Sequence, residues 1–202
     1  MDKSALAAIL GLCALNACAL AQAQQLGAVE VQSSSVTTRL APVADGTIID
    51  ENPYDGFPDE VQRNQANVVF LDQGRSDVRS VIEFDLIGLE GLIVSSATLE
   101  LSVRGKTVHA DLPIMPVEVR TFSADGVLRK SDFHRGQFIG AIDVYPATFD
   151  IPIPIDVTRD VQRAISKGKT FLGFSLRTTS GAQIDFGSLE WGPPPALVVT
   201  FE

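Results

Sequence analysis

The chain has 202 residues, 45% of them hydrophobic and 20% charged, with 16 Gly and 11 Pro, which suits one turn-rich globular domain with a sizeable core. Its 25 acidic and 16 basic residues leave a formal net charge of −9. That balance argues against nucleic acid, whose phosphates need a basic footprint, and against an anionic lipid surface for the same reason.

The N-terminus reads as a targeting segment. Lys3 precedes an apolar run, Ala5 to Ala21, that is short for a membrane span. "AQA", Ala21 to Ala23, then places small residues at the −3 and −1 positions, so residues 1–23 are read as a signal peptide and Gln24 as the mature start. A second reading stays open: "LNAC", Leu15 to Cys18, resembles a bacterial lipobox, and lipidation of Cys18 would anchor the chain as a lipoprotein. Cys13 and Cys18 are the only cysteines, and both lie in this segment. The mature domain is therefore expected to have neither a disulfide nor a thiolate metal site. Cleavage removes Asp2 and Lys3 together, so the charge stays at −9. The expected location is secreted, periplasmic or at the cell surface, with no transmembrane span in the mature chain.

Residues 24–36 form a polar lead-in, and 37–202 read as one domain in which period 2 dominates. "TTRLAP", "GTIID" and "ANVVFLD" are short strand candidates. "RSVIEFDL", a glycine-bearing loop and "SATLELSVR" follow, with Ile82, Phe84, Leu99 and Leu101 toward a core and Glu83 and Asp85 on the outer face. "VEVRTF" is another short candidate. "IPIPID" puts Pro152 and Pro154 at alternate positions; neither can donate to a ladder, which predicts a sheet edge. One helix stands out, "DVTRDVQRAISKGK", with Thr158 as N-cap, an apolar stripe of Val157, Val161, Ala164 and Ile165, and Gly168 after the last turn. "FLGFSLRT", "QIDFGS" and "ALVVTF" close the chain, adding Phe174, Leu176, Val199 and Phe201 to the predicted core. One-sided alternation means one buried and one solvated face. The fold class that follows is all-β, an antiparallel β-sandwich of jelly-roll type with one short helix.

The ordered set "RSVIEFDL...GLIVSSATLEL", "DVTRDVQRAISKGKTFLGFSL" and "IDFGSLEWGPPPALVVTF" resembles the DNRLRE-domain proteins of bacterial envelopes, and "VADGTIIDENP" resembles their opening strand and loop. The resemblance spans about residues 40–202. It implies a module similar to jelly-roll carbohydrate-binding modules, some of which bind acidic polysaccharides such as alginate, and which is not itself a catalyst. The expected partner is thus polysaccharide or another envelope component. The net charge turns the expectation toward neutral or mildly charged glycans.

Residue by residue, the chemistry is sparse. Glu83 and Asp85 project from one strand face and cannot flank a glycosidic bond; Asp85 is expected to hydrogen-bond the following "IGLEG" turn. There is no G-x-S-x-G elbow, and His109 and His134 fall in separate loop-like regions without metal spacing, so an enzyme is not expected. The stretch Asp45 to Glu60 supplies Asp45, Asp50, Asn52, Asp55 and Asp59 as candidate ligands for a structural calcium ion, without EF-hand spacing. The bland alternative is a turn whose side chains bond their own backbone. No cofactor is required. Candidate sugar contacts are Trp191, set in "SLEWGPPP", with Tyr54 and Tyr145, since most of the eleven Phe fall at core-facing positions. Arg75, Arg79 and Arg104 are candidate donors on a strand face, with ordinary surface as the favoured alternative. The alternative function is a structural or adhesive surface protein without a sugar site.

Overall fold

The computed structural model describes residues 35–63, 67–72, 76–108, 114–145, 151–178, 182–190 and 192–202. The expected signal segment, both cysteines, Arg75, His109 and Trp191 lie outside the described residues. Among the described residues the chain forms β1 (Val36–Leu40), β2 (Pro42–Asp50), β3 (Glu60–Arg63), β4 (Asn67–Asp72), β5 (Ser76–Asp85), β6 (Val94–Val108) and β7 (Met115–Ser123). A 3-10 turn (Lys130–His134), β8 (Gln137–Val144), β9 (Pro152–Asp156), helix α1 (Thr158–Ser166), β10 (Phe171–Thr178), β11 (Ala182–Phe186) and β12 (Ala196–Phe201) complete it. Among the described residues no helix is long and apolar enough to cross a membrane.

Every strand pair is antiparallel. One sheet runs β1–β12–β6–β9. The other is built around β5, which pairs with β2 along one edge and with β10 and β4 along the other. β3 extends this sheet beyond β2, β7 and β8 extend it beyond β10, and β11 joins β4 to the later half of β6. The long strand β6 therefore serves both sheets, its start paired with β12 and its end with β11. β9 has β6 as its one partner, with Pro152 opposite Ser102 and Pro154 opposite Glu100, so the two prolines do mark an edge.

Alternation places Ile82 and Phe84 of β5, Leu99 and Leu101 of β6, Phe174 and Leu176 of β10, and Val199 and Phe201 of β12 in one core between the sheets, as their spacing predicts. Phe84 and Phe174 meet edge to face, centroids 6.0 Å apart. Val161 and Ala164 dock α1 on this core, with Val157 ahead of the helix and Ile165 partly buried beside them. Gly168 ends the helix with φ +63, and its N–H reaches Ile165 O at 2.9 Å.

The helix start departs from expectation. Val157, not Thr158, is the N-cap, and Asp156 supplies the oxygen: its Oδ1 accepts the Thr158 N–H at 3.0 Å and the Thr158 hydroxyl at 2.6 Å. Thr158 Oγ1 is taken up in accepting the Ala97 N–H at 2.9 Å, which fastens the helix entry to β6. Those bonds hold the Asp156 carboxyl below the usual carboxylate range.

The larger correction concerns the outer face of β5, which is not solvated. Residues 124–136, between β7 and β8, fold back over it as a strap carrying the 3-10 turn. Leu128 and Phe133 of the strap pack with Ile48, Val81 and Phe122 in a second core on the far side of the sheet. Both faces of β5 are thus buried from Ser80 to Phe84, and Glu83 is covered although its strand position is outward.

Candidate functional site

The acidic stretch forms a tightly tied loop after β2. Asp50 Oδ1 accepts the Asn52 N–H at 3.1 Å, Asp55 Oδ1 the Phe57 N–H at 2.9 Å, and Asp59 Oδ2 the Glu51 N–H at 2.7 Å. Asn52 Nδ2 donates to Asp55 Oδ2 at 3.1 Å, and the Asp59 N–H closes the loop onto Ile49 O at 2.8 Å. These are the self-bonding turns of short polar side chains. Asp50 is buried, and burial together with Asp55, Asp59 and Asp77 pushes its carboxyl up. Asp45 does not join the group: five residues back along an extended strand puts it about 17 Å away. Among the described residues no three His, Cys, Asp or Glu side chains are grouped to hold a metal ion. Four of the five candidate calcium ligands are gathered, and each of the four is engaged in local bonds.

The same loop displays two aromatic rings. Tyr54 is 82% exposed and Phe57 75% exposed. From outside the loop, the His134 Nε2 of the strap lies 3.1 Å from Gly56 O. Pattern reading missed Phe57, because a phenylalanine beside a strand is ordinarily core; the flanking Gly56 and Pro58 are the signal of a turn that leaves it outside. Tyr145 is also exposed and sits at the same end of the sheet, following β8. Four strand spacings separate β8 from β2, about 19 Å, so Tyr145 and Tyr54 do not form one platform.

Two further acids are buried singly. Asp45 on β2 is 4% exposed and accepts the Leu189 N–H at 2.9 Å. Burial, and then Glu190, push its carboxyl up to about 6. Glu83 is 0% exposed; its Oε2 accepts the Gly126 N–H at 2.7 Å, and its Oε1 has no hydrogen-bond partner among the described residues. Burial pushes its carboxyl up as well. Asp85 behaves as expected, accepting the Ile87 N–H of the following turn at 2.7 Å. Arg79 is no open surface donor: it pairs with Asp77 at 2.7 Å, donates to Phe133 O at 2.5 Å and lies 3.9 Å above the Phe133 ring. Arg104 is half-buried on β6.

A shallow cleft of about 220 Å³ lies between α1, the end of β7 and the start of β10. Phe122, Phe171 and Leu172 line it, with Arg163, Lys167 and Lys169 among its charged residues. A neighbouring hollow adds Arg159, Asp156 and the half-exposed Phe138. This is a locally cationic face on an acidic protein.

Compared with models of known protein families the chain matches none, and compared with curated proteins it finds no match.

Proposed function

We propose that this chain is an exported, non-catalytic β-sandwich module that binds polysaccharide, in keeping with its resemblance to the DNRLRE-domain proteins. The observation that carries the reading is the loop after β2, which holds Tyr54 and Phe57 exposed on a backbone tied by its own carboxylates. Sugar rings present C–H faces that stack on aromatic rings, and their hydroxyls donate to carboxylates. The exposed Glu51 beside the rings supplies such an acceptor, and together with Asp55 and Asp59 it repels polyanions, which favours neutral or mildly charged chains. A shallow site with two anchors corresponds to micromolar-to-millimolar affinity, on the order of −4 to −8 kcal/mol. Tyr145 stands apart as a lesser contact, and Trp191 enters as the lone tryptophan of the Pro-rich segment "SLEWGPPP".

Affinity electrophoresis through gels containing neutral or acidic polysaccharides tests this. Retardation by a neutral chain, lost in Tyr54→Ala and Phe57→Ala with unchanged melting temperatures, is the expected result; Trp191→Ala reports whether that ring contributes. Retardation confined to acidic chains and lost in Lys167→Ala with Lys169→Ala would move the site to the α1 cleft. With no retardation at all, the structural or adhesive surface protein replaces the binding module.

A further inference from the structure

We propose that Glu83 is a proton-operated latch that holds the strap of residues 124–136 against the sheet. The niche around Glu83 is built for a side chain turned toward the strap. Its register partners on the adjacent strands are Gly173 of β10 and Ala44 of β2, which leave room beside it. The Phe122 ring lies over Gly173, where a Cβ would collide with it. Within that enclosure the carboxyl makes one hydrogen bond, to the Gly126 N–H of the strap, and leaves Oε1 unsatisfied. An ionised carboxylate there is a buried charge with half of its acceptor capacity unmet, whereas protonation removes the charge and keeps the Gly126 bond.

The charged groups facing Glu83 all come from the strap region. Asp132 disfavours its ionisation, while Arg129 and Arg135 favour it less strongly than burial opposes it. Asp132 is already committed, accepting the Arg129 N–H at 2.7 Å and pairing with Arg135 at 3.1 Å. Further along, the strap is pinned by Arg63 to Leu128 O at 2.7 Å and by Arg79 to Phe133 O at 2.5 Å. Its leading end has the Glu83 bond. Gly126 there takes φ +82, and a Cβ on it would press on the Phe171 ring at 3.1 Å, so this end closes in one specific position.

The direction of the effect follows from linkage. With the strap open, Glu83 meets water and ionises near its ordinary value of 4.5; with the strap closed, ionisation is suppressed. Closure is fully favoured below that ordinary value and weakens as pH rises toward the closed-state value, by up to about tenfold in the opening equilibrium per pH unit.

Hydrogen exchange on the purified protein between pH 5 and 8, corrected for intrinsic exchange rates, tests the latch through the Gly126 amide. The expected result is that protection of Gly126 falls with rising pH in the wild type, while that of the α1 amides does not. Glu83→Gln keeps an oxygen for Gly126 and cannot ionise, so its Gly126 protection is expected to stay flat. Equal pH dependence in wild type and Glu83→Gln overturns the latch. Should the variant not fold, a flat Gly126 protection in the wild type alone overturns it. Tryptic cleavage after Arg129 and Lys130, normalised to cleavage after Arg163, is expected to show the same contrast. None of these readouts involves glycan, so the latch stands or falls apart from the binding function.

Discussion

Asp45 offers a direct measurement of how strongly this fold penalises a lone buried charge. Its carboxyl is raised from 3.8 to about 6, chiefly because burial between β2 and the chain after β11 encloses it, with the Leu189 N–H donating to it. A folded-state value above the unfolded one means that the folded protein holds the proton more tightly. The contribution of Asp45 to stability is therefore fully present below pH 3.8 and lost as pH rises to about 6, beyond which the penalty is constant. At about 1.4 kcal/mol per pH unit the loss is on the order of 3 kcal/mol. Asp45→Asn keeps an acceptor for Leu189 and removes the charge. Urea denaturation of both proteins at pH 3.5 and pH 8 gives the difference directly. The variant is expected to match the wild type at the lower pH within about 1 kcal/mol and to exceed it at the higher pH by up to about 3 kcal/mol. A stability difference that is the same at both pH values would refute the assignment of a buried, proton-holding Asp45.

Phe84→Ala removes a fully buried ring from the Phe84–Phe174 contact and is expected to cost about 3–5 kcal/mol in chemical denaturation; an unmoved transition would contradict the β5 register. Asp156→Asn weakens the charge-assisted bonds to Thr158, and because the folded carboxyl is lowered, the loss should appear above its ordinary value of 3.8 and vanish as pH falls through the folded value. Melting temperatures in calcium and in chelator are expected to coincide, since the carboxylates of the loop after β2 already bond its own groups; a drop in chelator, abolished by Asp50→Ala, would establish a calcium site there. N-terminal sequencing of exported protein is expected to begin at Gln24, and a lipid on Cys18 found by mass spectrometry would replace that reading.

Strand alternation carried most of the architecture because one periodicity governs both sheets. Ile82, Phe84, Leu99, Leu101, Phe174, Leu176, Val199 and Phe201 all sit in the inner core, where their parity places them. The alternation of β5 was equally real, yet its outer face was misjudged. Parity says which side Glu83 points to, but what covers that side is decided 43 residues later by the strap. Leu128 and Phe133 carry no period that announces a strap, since they pack from irregular backbone onto a distant strand. The pair Ala44 and Gly173 that makes room for Glu83 becomes visible only once β2, β5 and β10 are in register. The loop after β2 was legible as Asx-rich turn chemistry. Its Phe57 was not, because a single aromatic has the same letter inside a core and outside it.

Exposed aromatic rings contribute to binding only what remains after the cost of ordering them, and that cost rises with the freedom of the loop that bears them. Here the ordering is largely done by folding. Asp50, Asp55 and Asp59 fix the backbone around Tyr54 and Phe57 from within, and the Asp59 N–H ties the loop to β2. His134 adds a hold from the strap at Gly56 O, between the two rings in sequence. His134 is itself positioned by its neighbour Phe133, whose ring meets it edge to face at 5.0 Å and is capped by Arg79. The strap thus does two jobs with one stretch of chain: it seals the outer face of β5 and braces the loop that presents the aromatics. The local charge follows the same division. The loop end is acidic, in keeping with the proposed preference for neutral chains, while Arg159, Lys167 and Lys169, which form no ion pair among the described residues, line neighbouring hollows beside α1. Under the proposed binding function, net charge alone therefore does not choose the ligand; the face on which the aromatic rings stand does.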